Sequence, residues 1–284
     1  LLIFYKNPKQ NRHERLIEIL YNSCPYEKKL YTTDKFGANA RLNQRASGLV
    51  FAGMIRGEGL IYKWCKQNRK RFFYLDHAYL ERGYNTGDPD NEWFRITDSD
   101  FLWHKMEHKT SERWDQYFAE KYPLKPWRLT GKNILVLPPS QATQYIFPKS
   151  KLWLDHTLRI LPKYTNKPVV IREKPTQQVI GINNQIIKPL TFKHSNTIEQ
   201  ELVNAFAVVT YNRGVTVQAT LEGIPIVCDQ NNAASPITNR IEEIDNPLFV
   251  PREQWLHQLV HHQYRTREMI DGTVWQMLIP DGKL

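Results

Sequence analysis

Short, unbroken apolar runs recur along this chain, separated by longer stretches in which apolar residues return at helical spacing. The runs are Leu1–Tyr5, Leu49–Ala52, Phe72–Asp76, Asn133–Leu137, Pro168–Arg172 and Ala207–Thr210. Runs of this length without polar alternation read as parallel strands buried on both faces. Between them, Asn11–Tyr21 carries Leu16, Ile17, Ile19 and Leu20 on one stripe, and Arg56–Gln67 carries Ile61, Tyr62 and Cys65. Trp153–Leu161, Thr197–Asn204 and Val215–Leu221 have the same character, and each reads as an amphipathic helix. Gly223 and Pro225 stop the last of these before a further strand at Ile224–Cys228. Ile186, Ile187 and Leu190 suggest one more short strand, and Arg265–Met277 a terminal helix. Strand and helix alternate throughout, which predicts the α/β class.

A length of 284 residues exceeds one ordinary domain. Pro123, Pro126 and Gly131 mark a linker, so we expect a first domain at 1–128 and a second at 129–264, with 265–284 as a helix crossing back. The net charge of +10 is uneven: residues 1–130 hold 23 Lys+Arg against 16 Asp+Glu, residues 131–284 hold 16 against 13. A basic first half suits a polyanionic partner, or serves solubility alone. Tyr62, Trp64, Phe72, Phe73, Tyr74, Trp93, Trp103, Trp114 and Trp127 interleave with those bases, and nucleic-acid bases stack on such rings when they are not core. Cys24, Cys65 and Cys228 form no paired motif, consistent with a reduced, cytoplasmic protein. The five apolar residues before Lys6 are too few for a signal peptide, and no run approaches a membrane span. The expected state is a monomer without membrane insertion.

Two places carry candidate chemistry. Ligands of open α/β sheets bind beyond the carboxyl ends of the strands. At one such end stand Asp76 and His77, either of which suits general-base work on an acceptor hydroxyl; a turn-capping Asp and a packed His are the structural alternative. At another, Arg172 and Lys174 place two cations at a strand terminus, a cradle for a pyrophosphate. The turn Tyr211–Gly214 then leads into a helix whose first N–H groups attract phosphate, with Arg213 adding charge and Glu222 a carboxylate suited to a ribose. The same stretch also reads as an ordinary structural β-α-β unit. The sequences Asp88-Pro89-Asp90 and Asp98-Ser99-Asp100 spell D-x-D, and His257, His261 and His262 cluster, but neither completes a metal set.

Residues 131–260 resemble the donor-binding half of a GT-B glycosyltransferase. The likeness rests on Pro138-Pro139-Ser140, on IREK at Ile171–Lys174, and on VVTYNRGVTVQATLEGIPIVCD at Val208–Asp229. It implies two Rossmann-like domains facing across a cleft, the second holding a nucleotide sugar. It further implies Ser140, Arg172, Lys174, Arg213, Gly214, Val215 and Glu222 around the nucleotide, and Asn231 and Asn232 near the sugar hydroxyls. Arg213 departs from the serine usual in that turn. The N-terminal half, through FFYLDHAYLERG and WFRIT, resembles phage-encoded glycosyltransferases, including those that modify hydroxymethylated DNA bases. The resulting expectation is transfer from a UDP-sugar, glucose foremost, to the hydroxymethyl group of a base in phage DNA, with Asp76 as base and no metal required. The alternatives are a glycosyltransferase acting on a surface polysaccharide or lipid, and a non-enzymatic nucleic-acid-binding module.

Overall fold

The computed structural model describes residues 1–54, 58–81, 89–102, 108–174, 176–180, 186–191 and 196–284. The chain forms two compact units. One comprises Leu1–Phe101, Ile180–Ile186 and His262–Leu284, the other Leu102–Val179 and Ile187–His261.

The first unit opens with β1 (Leu2–Lys6), α1 (Asn11–Ser23), β2 (Lys28–Thr32), α2 (Ala40–Arg45), β3 (Gly48–Ala52), α3 (Glu58–Gln67), β4 (Phe72–His77) and β5 (Trp93–Asp98). In β1, β3 and β4 the apolar runs are buried residue after residue, as strands covered on both faces require. β1, β2, β3 and β4 are mutually parallel, with Phe4 opposite Val50 and Val50 opposite Phe73. β5 runs antiparallel to β4.

The second unit follows, with α4 (Glu112–Tyr117), β6 (Asn133–Leu137), α5 (Gln141–Ile146), α6 (Trp153–Ile160), β7 (Val169–Ile171), β8 (Thr176–Ile180), β9 (Ile186–Thr191), α7 (Ile198–Asn204), β10 (Ala205–Thr210), α8 (Val215–Leu221), β11 (Ile226–Cys228) and α9 (Glu253–His261). Its main sheet has the order β11-β10-β6-β7 and is parallel throughout; β8 and β9 form a separate ribbon. Ile134, Val136, Phe206, Ala207, Val209 and Leu161 make its core.

The proline-rich stretch read as a linker is strapped onto this unit. Lys125 N–H donates to Leu221 O and Arg128 N–H to Gly223 O. The Arg252 guanidinium lies over the Trp127 ring at 4.0 Å and donates to the carbonyls of Lys125 and Thr220. Gly223 makes the strap possible: its φ is +74°, and a Cβ there would lie 1.9 Å from Pro126 O. Gly223→Ala therefore lowers the stability to urea, by roughly 1–2 kcal/mol from the left-handed backbone alone, with the clash in addition. An unchanged midpoint would show that the strap contributes nothing.

The chain finally returns to the first unit as β12 (Gln263–Arg265), α10 (Thr266–Ile270) and α11 (Thr273–Leu278). β12 pairs antiparallel with β5 and completes the sheet order β12-β5-β4-β3-β1-β2. The expected single helix is thus a three-residue strand and two short helices, broken where Gly272 takes φ +82°. α1, α10 and α11 cover one face of the sheet, with Leu16, Ile17, Leu20, Met269, Val274 and Trp275 against Leu2, Phe4, Val50, Phe73 and Leu75.

Candidate functional site

Each unit has one point where successive connections leave a parallel sheet in opposite directions, the position at which open α/β sheets take ligands. In the first unit it lies between β1 and β3, because the chain passes from β1 out to β2 on one side and from β3 to β4 on the other. In the second it lies between β6 and β10, flanked by β7 and β11.

Polar side chains gather beyond the strands of the first unit. Asn7, just after β1, is 3 % exposed and donates to Glu58 Oε1 at 2.8 Å, as does Gln10 at 3.2 Å. Glu58 itself is 1 % exposed at the start of α3. The His13 and His77 rings lie 6.4 Å apart. Sequence spacing gave no sign of Asn7, His13 or Glu58 as members of this group.

Asp76 ends in an occupied carboxylate. Oδ2 accepts from Tyr74 Oη at 2.5 Å and from Arg95 Nη2 at 2.9 Å, and Oδ1 accepts from the His77 amide at 2.8 Å. Arg95 is the direct cross-strand partner of Asp76, the arrangement in which opposite charges stabilise an antiparallel pair. Its other arm donates to His77 O at 3.0 Å. Burial pushes the Asp76 carboxyl up, but Arg95, His77 and the hydrogen bonds outweigh it and hold the group at about 2. Burial lowers His77 to about 4, so its imidazole is neutral at physiological pH. Of the two candidate bases, His77 is the stronger.

In the second unit the sequence-derived residues other than Glu222 lie at or just beyond the carboxyl ends of the strands, several of them bound to neighbours, while Glu222 sits at the opposite end of its helix. Ser140 caps α5, accepting from Thr143 N–H at 3.2 Å. Arg172 is 8 % exposed; its Nη1 donates to Asn196 O at 2.8 Å and lies 3.8 Å from Glu201. Lys174 is exposed just beyond β7. Gly214 and Val215 begin α8, while Glu222, at its far end, pairs with Lys125 at 2.6 Å in solvent. Asn231 turns onto Asp229, donating to Oδ1 at 2.7 Å. Asn232 is 1 % exposed and holds its loop, accepting from Thr216 Oγ1 and Ala234 N–H at 2.9 Å each.

Arg213 reaches across the switch point. Its Nε donates to Pro138 O at 2.6 Å, linking the ends of β10 and β6. Burial brings its guanidinium down to about 10, against an upward pull from Glu173. Beside it, Asn212 Oδ1 accepts from Thr143 Oγ1 at 3.1 Å. Asn212 was absent from the sequence-derived set; no spacing rule marks it.

Among the described residues, no three His, Cys, Asp or Glu side chains assemble as a metal site. Asp98 is paired with Arg71 at 2.8 Å and Asp100 with Lys66 at 3.5 Å; Asp88 lies outside the described residues. No described helix is long and apolar enough to cross a membrane. Of the rings considered for base stacking, Tyr62, Phe72, Phe73, Tyr74, Trp93 and Trp114 are buried, and Trp103 is outside the described residues.

No family model matches the sequence, nor does any curated protein. Solved structures do. The chain is similar to the beta Kdo 2,7 transferase of Thermosulfurimonas dismutans KpsC, with a TM-score of 0.52 and 14 % identity over 95 % of this chain and 98 % of that one. The beta Kdo 2,4 transferase of the same protein aligns with a TM-score of 0.49, at 10 % identity over 93 % and 91 %. The first match shows the α/β, Rossmann-like fold.

Proposed function

We propose that this chain is a nucleotide-sugar-dependent glycosyltransferase whose acceptor is a saccharide of a surface polysaccharide or glycolipid. The observation that carries this reading is the shared fold with a Kdo transferase along nearly the full length of both chains. Two sheets, each with a switch point beset by buried polar groups, are consistent with one ligand per unit. The acceptor preferred from the sequence, a hydroxymethylated base in DNA, gains no support from that neighbour. The burial of six of the candidate stacking rings also weakens the stacking argument for it.

In this reading the second unit holds the nucleotide, with Ser140 and Arg213 at the sheet's switch point and Lys174 just beyond the neighbouring β7. There, positive charge would favour the departing phosphate as its negative charge grows. His77 takes the acceptor proton, and the Asp76–Arg95 pair fixes the end of β4 that carries it. The UDP-sugar donor and the sugar-facing roles of Asn231 and Asn232 rest on the sequence resemblance.

The test is a transfer assay in which labelled UDP-glucose and other sugar nucleotides are offered with oligosaccharide acceptors and, separately, with hydroxymethylcytosine-containing DNA. Label on a saccharide, reduced by about two to four orders of magnitude in His77→Ala as expected for loss of a general base, is the expected result. Label on the DNA instead would restore the nucleic-acid acceptor. Failure of every sugar nucleotide to bind or turn over would remove the transferase reading.

A further inference from the structure

Nearly all buried hydrogen-bond donors in folded proteins find acceptors, so those that do not call for an explanation. At the second unit's switch point two such donors stand on adjacent residues. Asn212 is 7 % exposed; its Oδ1 is engaged by Thr143 Oγ1, and its Nδ2, inaccessible to solvent, has no hydrogen-bond partner. Arg213 is tied through Nε to Pro138 O, and its Nη2 is likewise inaccessible and without a partner. Both side chains are therefore anchored by one atom and present another.

The anchoring matters. Thr143 is held in turn by Ser140, whose Oγ lies 2.9 Å from Thr143 Oγ1, so the Asn212 amide is oriented by the end of β6 as well as by its own turn. Leaving either donor unmet is unfavourable, and more so for the charged one. What answers a guanidinium N–H and a neighbouring amide N–H together is an oxygen acceptor carrying negative charge.

We infer that Asn212 Nδ2 and Arg213 Nη2 form an oxyanion-binding pair, the residues that recognise the anionic group of this unit's ligand. The inference deepens the transferase reading and rests on it for the ligand's place in a reaction. It also shifts the principal anion contact from Arg172, whose Nη1 donates to Asn196 O and lies 3.8 Å from Glu201. The oxyanion has two possible sources, a phosphate of the nucleotide or the carboxylate of an acidic sugar, and the same two donors suit both.

Calorimetric titration of the whole chain separates them. The ligands are a nucleoside, its mono- and diphosphate, pyrophosphate, and a free acidic sugar beside its neutral counterpart. Arg213→Ser and Asn212→Ala are compared with the unaltered protein. Arg213→Lys keeps the charge without the planar fork, and melting of each unliganded variant checks its fold.

The expected result is that Arg213→Ser weakens binding of the anionic ligands by roughly tenfold to a hundredfold, and Asn212→Ala by about tenfold. Nucleoside affinity should not move, and Arg213→Lys should recover only part of the loss. Loss confined to phosphates identifies the nucleotide as the source; loss confined to the acidic sugar identifies the sugar. Binding of nucleotides, pyrophosphate and the acidic sugar that is all equally tight in the folded variants overturns the oxyanion pair and leaves the transferase reading standing. If no nucleotide binds, that reading fails, yet the pair survives if pyrophosphate or the acidic sugar binds in an Arg213-dependent way. If no anion binds at all, the pair is overturned.

Discussion

Trp275→Ala costs this protein about 3–5 kcal/mol, the range for truncating a large buried aromatic, and leaves the first unit largely unfolded under conditions where the second persists. Trp275 is 1 % exposed in α11. Its ring meets Phe4 edge-on at 5.8 Å and Phe73 at 5.9 Å, and so touches the two strands β1 and β4 on either side of β3. Tyr26 closes a third side at 6.5 Å, and the indole N–H donates to Ser23 Oγ at 3.3 Å. No neighbouring side chain can fill that volume without leaving α1 or the sheet. Urea unfolding followed by circular dichroism should show one transition shifted well below the other. A loss under 1 kcal/mol would mean that the C-terminal helices contribute little to the core.

The second large effect is electrostatic. Arg95→Met leaves the Asp76 carboxylate 21 % exposed beside Tyr74 with no counter-charge, and breaking such a pair from one side costs about 3–5 kcal/mol. The acid response follows from the same groups. His77 falls from 6.5 to about 4 on folding. Between those values the unfolded chain binds the proton and the folded chain does not, so stability declines as the pH drops from 6.5 towards 4 and then levels, a loss on the order of 3 kcal/mol. Asp76, at about 2 against 3.8, adds its own decline only below 3.8, as acid protonates the unfolded chain first. Stability measured across the range from neutral to pH 4 should therefore slope in the unaltered protein and flatten in His77→Gln. An identical slope in both would show that His77 is not the group being charged. In Arg95→Met the Asp76 decline below 3.8 shrinks, because the charge that held its carboxyl down is gone and its folded value rises towards the unfolded one.

What the sequence made legible was whatever burial writes into one contiguous stretch. The strands β1, β3, β4, β6 and β10 coincide with unbroken apolar runs because both their faces are covered. β2 carries Lys28, Lys29 and Thr32 at the edge of its sheet and is only half-buried, so it leaves no such trace. β12 is three residues long and exists through its pairing with β5, far away in sequence. The site was legible in its location more than in its contacts. Strand ends drew attention to Asp76, Arg172 and Arg213, yet Arg95 meets Asp76 through sheet register, and Arg172 is occupied by Asn196 and Glu201 through folding of the following segment. Asn212 is marked by a missing partner, a property that no single-sequence pattern contains.

The discontinuity of the first unit has a consequence during synthesis. Leu1–Phe101 leaves the ribosome before His262–Leu284, and until the latter has been made its sheet lacks the edge strand β12 and the part of its helical cover that α10 and α11 provide. At ordinary elongation rates the intervening residues take on the order of ten to thirty seconds. Throughout that interval the nascent chain displays the outer edge of β5 without β12, and Phe4, Val50 and Phe73 without Trp275 above them. Of the two units, the one whose first segment is made earlier is the one that finishes folding last, and in the cell it is the one that should lean on chaperones.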